Sequence, residues 1–180
     1  IIELKNIMSD KLKIDIVSDV VCPWCTIGYK RLEKAIQELG IEDKIEIEWQ
    51  PFELNPNMPN EGQNLREHII EKYGSTKQES DASRVRMTEA GQEVGFEFNF
   101  NDDTRMHNTF NLHQLLHFAD QQGRMHELKQ ALFAAHFTNN RDISDINVLA
   151  DIAAETGLDR SESLAVLEGQ FFAKEVRAEE

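Results

Sequence analysis

The sequence predicts an α/β fold, on three observations. Apolar residues alternate with polar ones at Leu12, Ile14 and Ile16, and again at Ile45, Ile47 and Trp49. Between those runs the apolar spacing changes to the helical period of 3.6, and helical spacing dominates the rest of the 180 residues. Strand, helix and strand in close succession make a βαβ unit, which implies parallel pairing and a right-handed crossover.

The first strand leads through Val20 and Val21 into Cys22. From Pro23 onward, Ile27, Leu32, Ala35, Ile36 and Leu39 fall on one helical face, and Gly40 is placed to end that helix. After the second strand, Pro51, Pro56 and Pro59 exclude regular structure over residues 51–62. Leu65 to Tyr73 reads as a short helix stopped by Gly74. Thr76 to Val94 reads as a polar helix with Val85, Ala90 and Val94 inward, ending at Gly95. Phe96, Phe98 and Phe100 alternate, which predicts a short extended piece whose rings serve the core. Three more helices are expected at Asn108 to Gln121, Met125 to Phe137, and Ser144 or Asp145 to Gly157. Leu128, Ala131, Leu132 and Ala135 carry the period of the second, and Ser144 or Asp145 supplies the N-cap of the third. A last helix begins near Asp159 and carries Leu164, Leu167, Phe171 and Phe172. The chain thus divides into residues 12–62, a βαβ part containing the cysteines, and residues 63–180, a helical part.

With 40% apolar and 29% charged residues, the composition is that of an ordinary globular protein. The net charge of −14 counts against nucleic acid and anionic membrane surfaces as partners, because both select clustered Lys and Arg. No apolar stretch approaches the ~20 residues of a membrane span. Residues 1–11 lack the charged-then-apolar order of a signal peptide, and Met8 reads as the natural start, which predicts a cytoplasmic protein. The chain has two cysteines, spaced Cys-x-x-Cys, a pattern that in the cytosol points to catalysis or metal rather than a scaffold.

Cys22-Pro23-Trp24-Cys25 sits where strand gives way to helix. An ordinary thiol ionises near ~8.5 and is largely protonated at neutral pH, whereas the thiolate is the nucleophile. A helix N-terminus stabilises a nearby anion through unpaired N–H groups and its dipole. Pro23 takes the first helical position, where proline is best tolerated. Cys22 is therefore expected to be an exposed, acidified nucleophile, and Cys25, one turn on, the thiol that resolves a mixed disulfide. Pro23 and Trp24 would tune the pair, and Trp24 offers a flat apolar surface to an unfolded substrate. A tetrahedral zinc site would need two more ligands. With no third cysteine, His113 and His117, four apart, are the only well-spaced candidates, so no metal is expected. Both histidines otherwise read as partly exposed helix residues.

Several further segments, in order, make the chain resemble the DsbA-like thioredoxin family, and within it the FrnE-type cytosolic dithiol oxidoreductases. They are 18–25 (SDVVCPWC), 51–56 (PFELNP), 72–74 (KYG), Asn108-Thr109 with Leu112-His113, and 142–145 (DISD). The resemblance covers 13–172 and implies a thioredoxin-like fold interrupted by a large all-helical insertion. It implies disulfide exchange with protein substrates and glutathione as a possible reductant, with no other cofactor. Similarity around Pro51 to Pro56 and Asn108 to His113 assigns Phe52, Asn55 and His113 to substrate binding. The related hydroxychromene-carboxylate isomerases and kappa-class glutathione transferases carry serine where Cys22 stands, so the intact cysteine pair favours dithiol redox chemistry, with a glutathione-dependent small-molecule isomerase or transferase as the alternative. A zinc- or partner-binding module is the non-enzymatic one. The resemblance also implies a C-terminal ββα half entered through a cis-proline loop, yet no proline follows Pro59. That half is expected to be missing from this chain. One edge of the first strand would then lie open and invite homo-oligomerisation.

Overall fold

The structure, a computed structural model, describes residues 11–180, so the expected start at Met8 lies outside the described residues. Strands β1 (Leu12–Ser18) and β2 (Ile45–Pro51) pair in parallel, from Leu12 opposite Ile45 to Ser18 opposite Pro51. Helix α1 (Pro23–Leu39) and a 3-10 turn at Glu42–Lys44 join them, which is the expected βαβ unit. Gly40 ends α1 in the left-handed conformation (φ 61°, ψ 42°), and the N–H groups of Gly40 and Ile41 cap the Gln37 and Ile36 carbonyls. Glycine takes that conformation without steric cost.

Beyond the proline-rich loop, β3 (Gln63–Asn64) pairs antiparallel with β4 (Arg105–Met106). This short ladder ties the start of α2 (Leu65–Tyr73) to the approach of α4 (Phe110–Gln121). Between them α3 (Lys77–Glu93) opens on a capping box, in which Thr76 and Glu79 satisfy each other's backbone N–H groups. The remaining helices are α5 (Met125–Phe133), α6 (Ile146–Glu155), α7 (Arg160–Gly169) and α8 (Ala173–Glu179). Of the two candidate caps for α6, Asp145 accepts the Asn147 N–H.

The structure corrects two of the expected elements, the helix from Met125 and the last helix, and shows what the phenylalanine segment packs against. The helix from Met125 ends at Phe133, and residues 134–138 continue as a π-helical turn. Phe96, Phe98 and Phe100 lie in a segment without a strand partner. Their rings instead gather around Phe137, and the Asn99 N–H bonds the Phe137 carbonyl at 2.8 Å. The last helix breaks at Gln170, which adopts φ 51°. Its side-chain amide bonds Gln114, Asn111 and the Leu167 carbonyl, so these tethers override local helix propensity. Phe171 is left exposed and Phe172 starts α8 instead of continuing α7.

One core runs through the whole arrangement. Val20, Ile27 and Trp49 of the βαβ unit pack in the same cluster as Leu112, Leu132, Phe133, Ile152 and Leu167 of the helices. Among the described residues no helix is long and apolar enough to cross a membrane.

Candidate active site

Cys22 is the N-cap of α1, with extended backbone (φ −94°, ψ 107°), and Pro23 occupies the first helical turn. The Cys22 carbonyl accepts the N–H groups of Cys25 (3.1 Å) and Thr26 (3.4 Å), which draws both cysteines to the same helix end. Both are free thiols and both are half-buried, so Cys22 is less exposed than expected. Trp24 lies 52% exposed beside them.

The two sulfurs titrate as a pair. Hydrogen bonding to Cys22 brings Cys25 down to about 7 against the opposing effect of burial, with help from the Asp19 backbone and the charge of Lys129. The bond to Cys25, followed by burial, drives Cys22 upward, while the backbone N–H groups of Cys25 and Trp24 pull the other way. One proton therefore leaves easily and the second is held between the sulfurs. A thiolate with an adjacent S–H donor is the reactive form such a pair presents at neutral pH.

Beneath the pair lies a buried polar cluster. Asp19 Oδ2 accepts the Leu54 N–H at 2.7 Å and the Thr109 hydroxyl at 3.1 Å. His113 Nε2 faces two acceptors, the Phe52 carbonyl at 3.0 Å and Asp19 Oδ1 at 3.5 Å, so that nitrogen carries the proton. Burial pushes the Asp19 carboxyl up, but His113, the Leu54 N–H and Lys129 together hold it below its ordinary value. His113 is 2% exposed, which corrects its reading as a partly exposed helix residue and sets it against Asp19.

Lys129, on α5, is 1% exposed. Its Nζ donates to the Ser18 carbonyl at 3.2 Å and lies over the rings of Trp49 (5.3 Å) and Phe133 (5.4 Å). Burial lowers Lys129 to about 8, with Asp19, Cys25 and Cys22 favouring its charged form. Sequence reasoning missed it, although a signal existed. Met125, Leu128, Lys129, Leu132 and Phe133 share the i, i+3, i+4, i+7, i+8 stripe, so the lysine falls on the buried face of α5.

A cleft of about 690 Å³ opens at Cys22 and Trp24. Leu65, Ile69 and Tyr73 line it from α2, and Ser83, Arg86 and Met87 from α3. Phe100, Met106 and His136 also line it. His136, in the π-helical turn, is pushed down to about 3 by burial and is neutral. Of the remaining expected site residues, Phe52 exposes its ring and offers His113 its carbonyl, while Asn55 Oδ1 accepts from Lys72 at 2.5 Å. Among the described residues no three His, Cys, Asp or Glu side chains converge into a group able to hold a metal ion.

Comparison with known proteins agrees with this geometry. The uncharacterized protein YwbO of Bacillus subtilis is 29% identical over 155 residues, covering 86% of this chain and 71% of that one. The crystal structure of the probable DsbA oxidoreductase SCO1869 from Streptomyces coelicolor superposes with a TM-score of 0.88 at 32% identity, covering 93% of this chain and 73% of that one. The cytosolic disulfide reductase DsbM of Pseudomonas aeruginosa shares the fold with a TM-score of 0.61 at 17% identity, over 93% of this chain and 74% of that one. Residues 13–180 match the family model of the DSBA-like thioredoxin domain, and the chain belongs to that family.

Proposed function

We propose that the protein is a thiol–disulfide oxidoreductase that exchanges disulfides with protein substrates. The observation that carries this reading is the reduced Cys22–Cys25 pair at the N-terminus of α1, in which Cys25 is brought down to about 7 by its bond to Cys22. In the reductive direction Cys22 passes its proton to the Cys25 thiolate to which it is hydrogen-bonded and attacks one sulfur of the substrate disulfide, whose S–S bond breaks. One substrate sulfur departs as thiolate and the other stays bound to Cys22. Cys25, having lost its proton, attacks the Cys22 sulfur and releases the second substrate thiol. The substrate gains two electrons and two protons, and the enzyme becomes the Cys22–Cys25 disulfide.

Each neighbouring group has a part in this scheme. Backbone N–H groups of Trp24 and Cys25 stabilise the anion on Cys22, and Lys129 stabilises the anion on Cys25. Trp24 presents its apolar face to the substrate chain. His113, bonded to the Phe52 carbonyl, positions Asp19 beneath the pair, whereas the substrate-binding role of Phe52 and Asn55 rests on the resemblance alone. Glutathione is the reductant that returns the disulfide to dithiol, and the compartment is the cytoplasm.

Insulin reduction tests the proposal. Wild-type protein with glutathione should precipitate insulin B chain, Cys22→Ser should be inactive, and Cys25→Ser should accumulate a Cys22-linked mixed disulfide. Full activity in Cys22→Ser would overturn it.

A further inference from the structure

The cleft at Cys22 is lined by two arginines, Arg84 and Arg86, against one carboxylate, Glu79, on a chain whose net charge is −14. Glu79, Ser83 and Arg86 follow one another at i, i+4 and i+7, so they share one face of α3, and all three line the cleft. Glu79 stays an anion, its carboxylate held by the Thr76 N–H at 2.8 Å and the Thr76 hydroxyl at 2.9 Å, so it offsets one of the two arginine charges on this wall. Arg86 is exposed and, among the described residues, forms no salt bridge.

Arg84 adds a second charge from the same helix. Two carboxylates, Asp81 and Asp102, are shared among three cations. Arg66 takes both, at 2.6 and 3.0 Å, and Lys77 takes Asp81 at 2.8 Å. Arg84 reaches Asp102 only at 3.8 Å. Its Nη1 donates to the Asn101 carbonyl, while its buried Nη2 has no hydrogen-bond partner. The cleft wall therefore carries guanidinium charge left partly uncompensated, in a protein whose net charge is −14.

We infer that the cleft selects disulfides carrying carboxylates next to the reacting sulfurs, through Arg86 as the contacting cation and Arg84 as a second charge in the same cleft wall. This rests on Cys22 being the nucleophile, and it specifies the substrate of that same site. An apolar-walled cleft focuses the field of its charges, so a local positive patch overrides the global negative charge for a group that enters it. The reaction is the one already written. The Cys22 thiolate forms a bond to one substrate sulfur, the substrate S–S bond breaks, Cys25 closes the enzyme disulfide, and two electrons reduce the substrate to two carboxylate-bearing thiols.

Three small disulfides of graded charge test this: dithiodiglycolate with two carboxylates, neutral 2-hydroxyethyl disulfide, and cystamine with two ammonium groups. Oxidation of the reduced protein is followed by acid quench and alkylation. Each rate is divided by that of the same disulfide with dithiothreitol, which removes differences in intrinsic reactivity. The expected order is dianion, then neutral, then dication, with about a tenfold advantage of dianion over neutral at low ionic strength. That advantage should collapse in 1 M salt. Arg86→Glu should abolish or reverse the preference, read as the ratio of the dianion rate to the neutral rate in the same variant. Arg86→Gln should lose part of it, and Lys44→Glu, on the distant 3-10 turn, should keep it despite the same change in net charge. Equal normalised rates, or cystamine fastest as the net charge alone would dictate, would overturn the inference while leaving the nucleophile intact. No reaction with any of the three would sink the reading of Cys22, and this inference with it.

Discussion

A lysine with its Nζ buried in the core pays a desolvation cost, and in this protein the compensating anions are Asp19 and the two cysteines. Lys129 and the dithiol therefore report on each other. With Cys25 brought down to about 7, the pair carries a thiolate at neutral pH far more often than a free thiol would. Alkylation by iodoacetamide should follow that titration, rising through pH 7 instead of near 8.5. In Lys129→Met the positive charge that favours the thiolate is gone, so the midpoint should move upward. The alkylation rate at pH 7 should fall by about 3- to 10-fold. An unchanged midpoint would mean that Lys129 does not act on the pair. At this scale Cys22, Pro23 and Cys25 were legible because their meaning is local, a spacing and a helix start. Asp19, Thr109 and Lys129 were not, since what they do depends on three segments far apart in the chain meeting beneath one helix end.

Among the elements, the βαβ unit and most helices followed from periodicity and caps, and Asn64, Thr76, Asp145 and Asp159 each accept backbone N–H groups at a helix start. The sequence reading failed where side chains from elsewhere override local preference, at Gln170, while for the Phe96–Phe100 segment it gave core rings without showing what they meet. That segment depends on Gly91 near the end of α3. A Cβ there would lie 2.5 Å from the Phe98 ring and 2.6 Å from the Phe96 carbonyl. Gly91→Ala should therefore destabilise the protein by about 1–3 kcal/mol in urea unfolding, although alanine is the better helix former. A stabilised variant would mean that the phenylalanine segment does not pack against α3. The cleft lay beyond sequence reading for a related reason. Its walls are faces of α2 and α3, and helical spacing shows that a face exists without showing what it meets.

Across the whole molecule, β1 has a single strand partner among the described residues, with Leu12 and Val17 exposed. An apolar strand with a free edge favours pairing with another copy, and a lysine on it opposes that. Sedimentation should thus show concentration-dependent association of the wild-type chain that Val17→Lys reduces; a monomer at every concentration would contradict it. The α/β class, the predominance of helix after residue 62 and the position of the cysteine pair were readable because they follow from chain order, and the resemblance added that the helices form an insertion. How the helices enclose the pair and bring charge to it was not, because that is set by tertiary packing. The account's central claim is that Cys22 and Cys25 cycle between dithiol and disulfide, and equilibration in glutathione buffers of graded redox ratio tests it most directly. After acid quench, alkylation and mass analysis, the account predicts one two-electron transition in which both cysteines lose reactivity together and a Cys22–Cys25 disulfide forms. Two thiols that stay alkylatable across the whole series, or that are oxidised independently of each other, would contradict it.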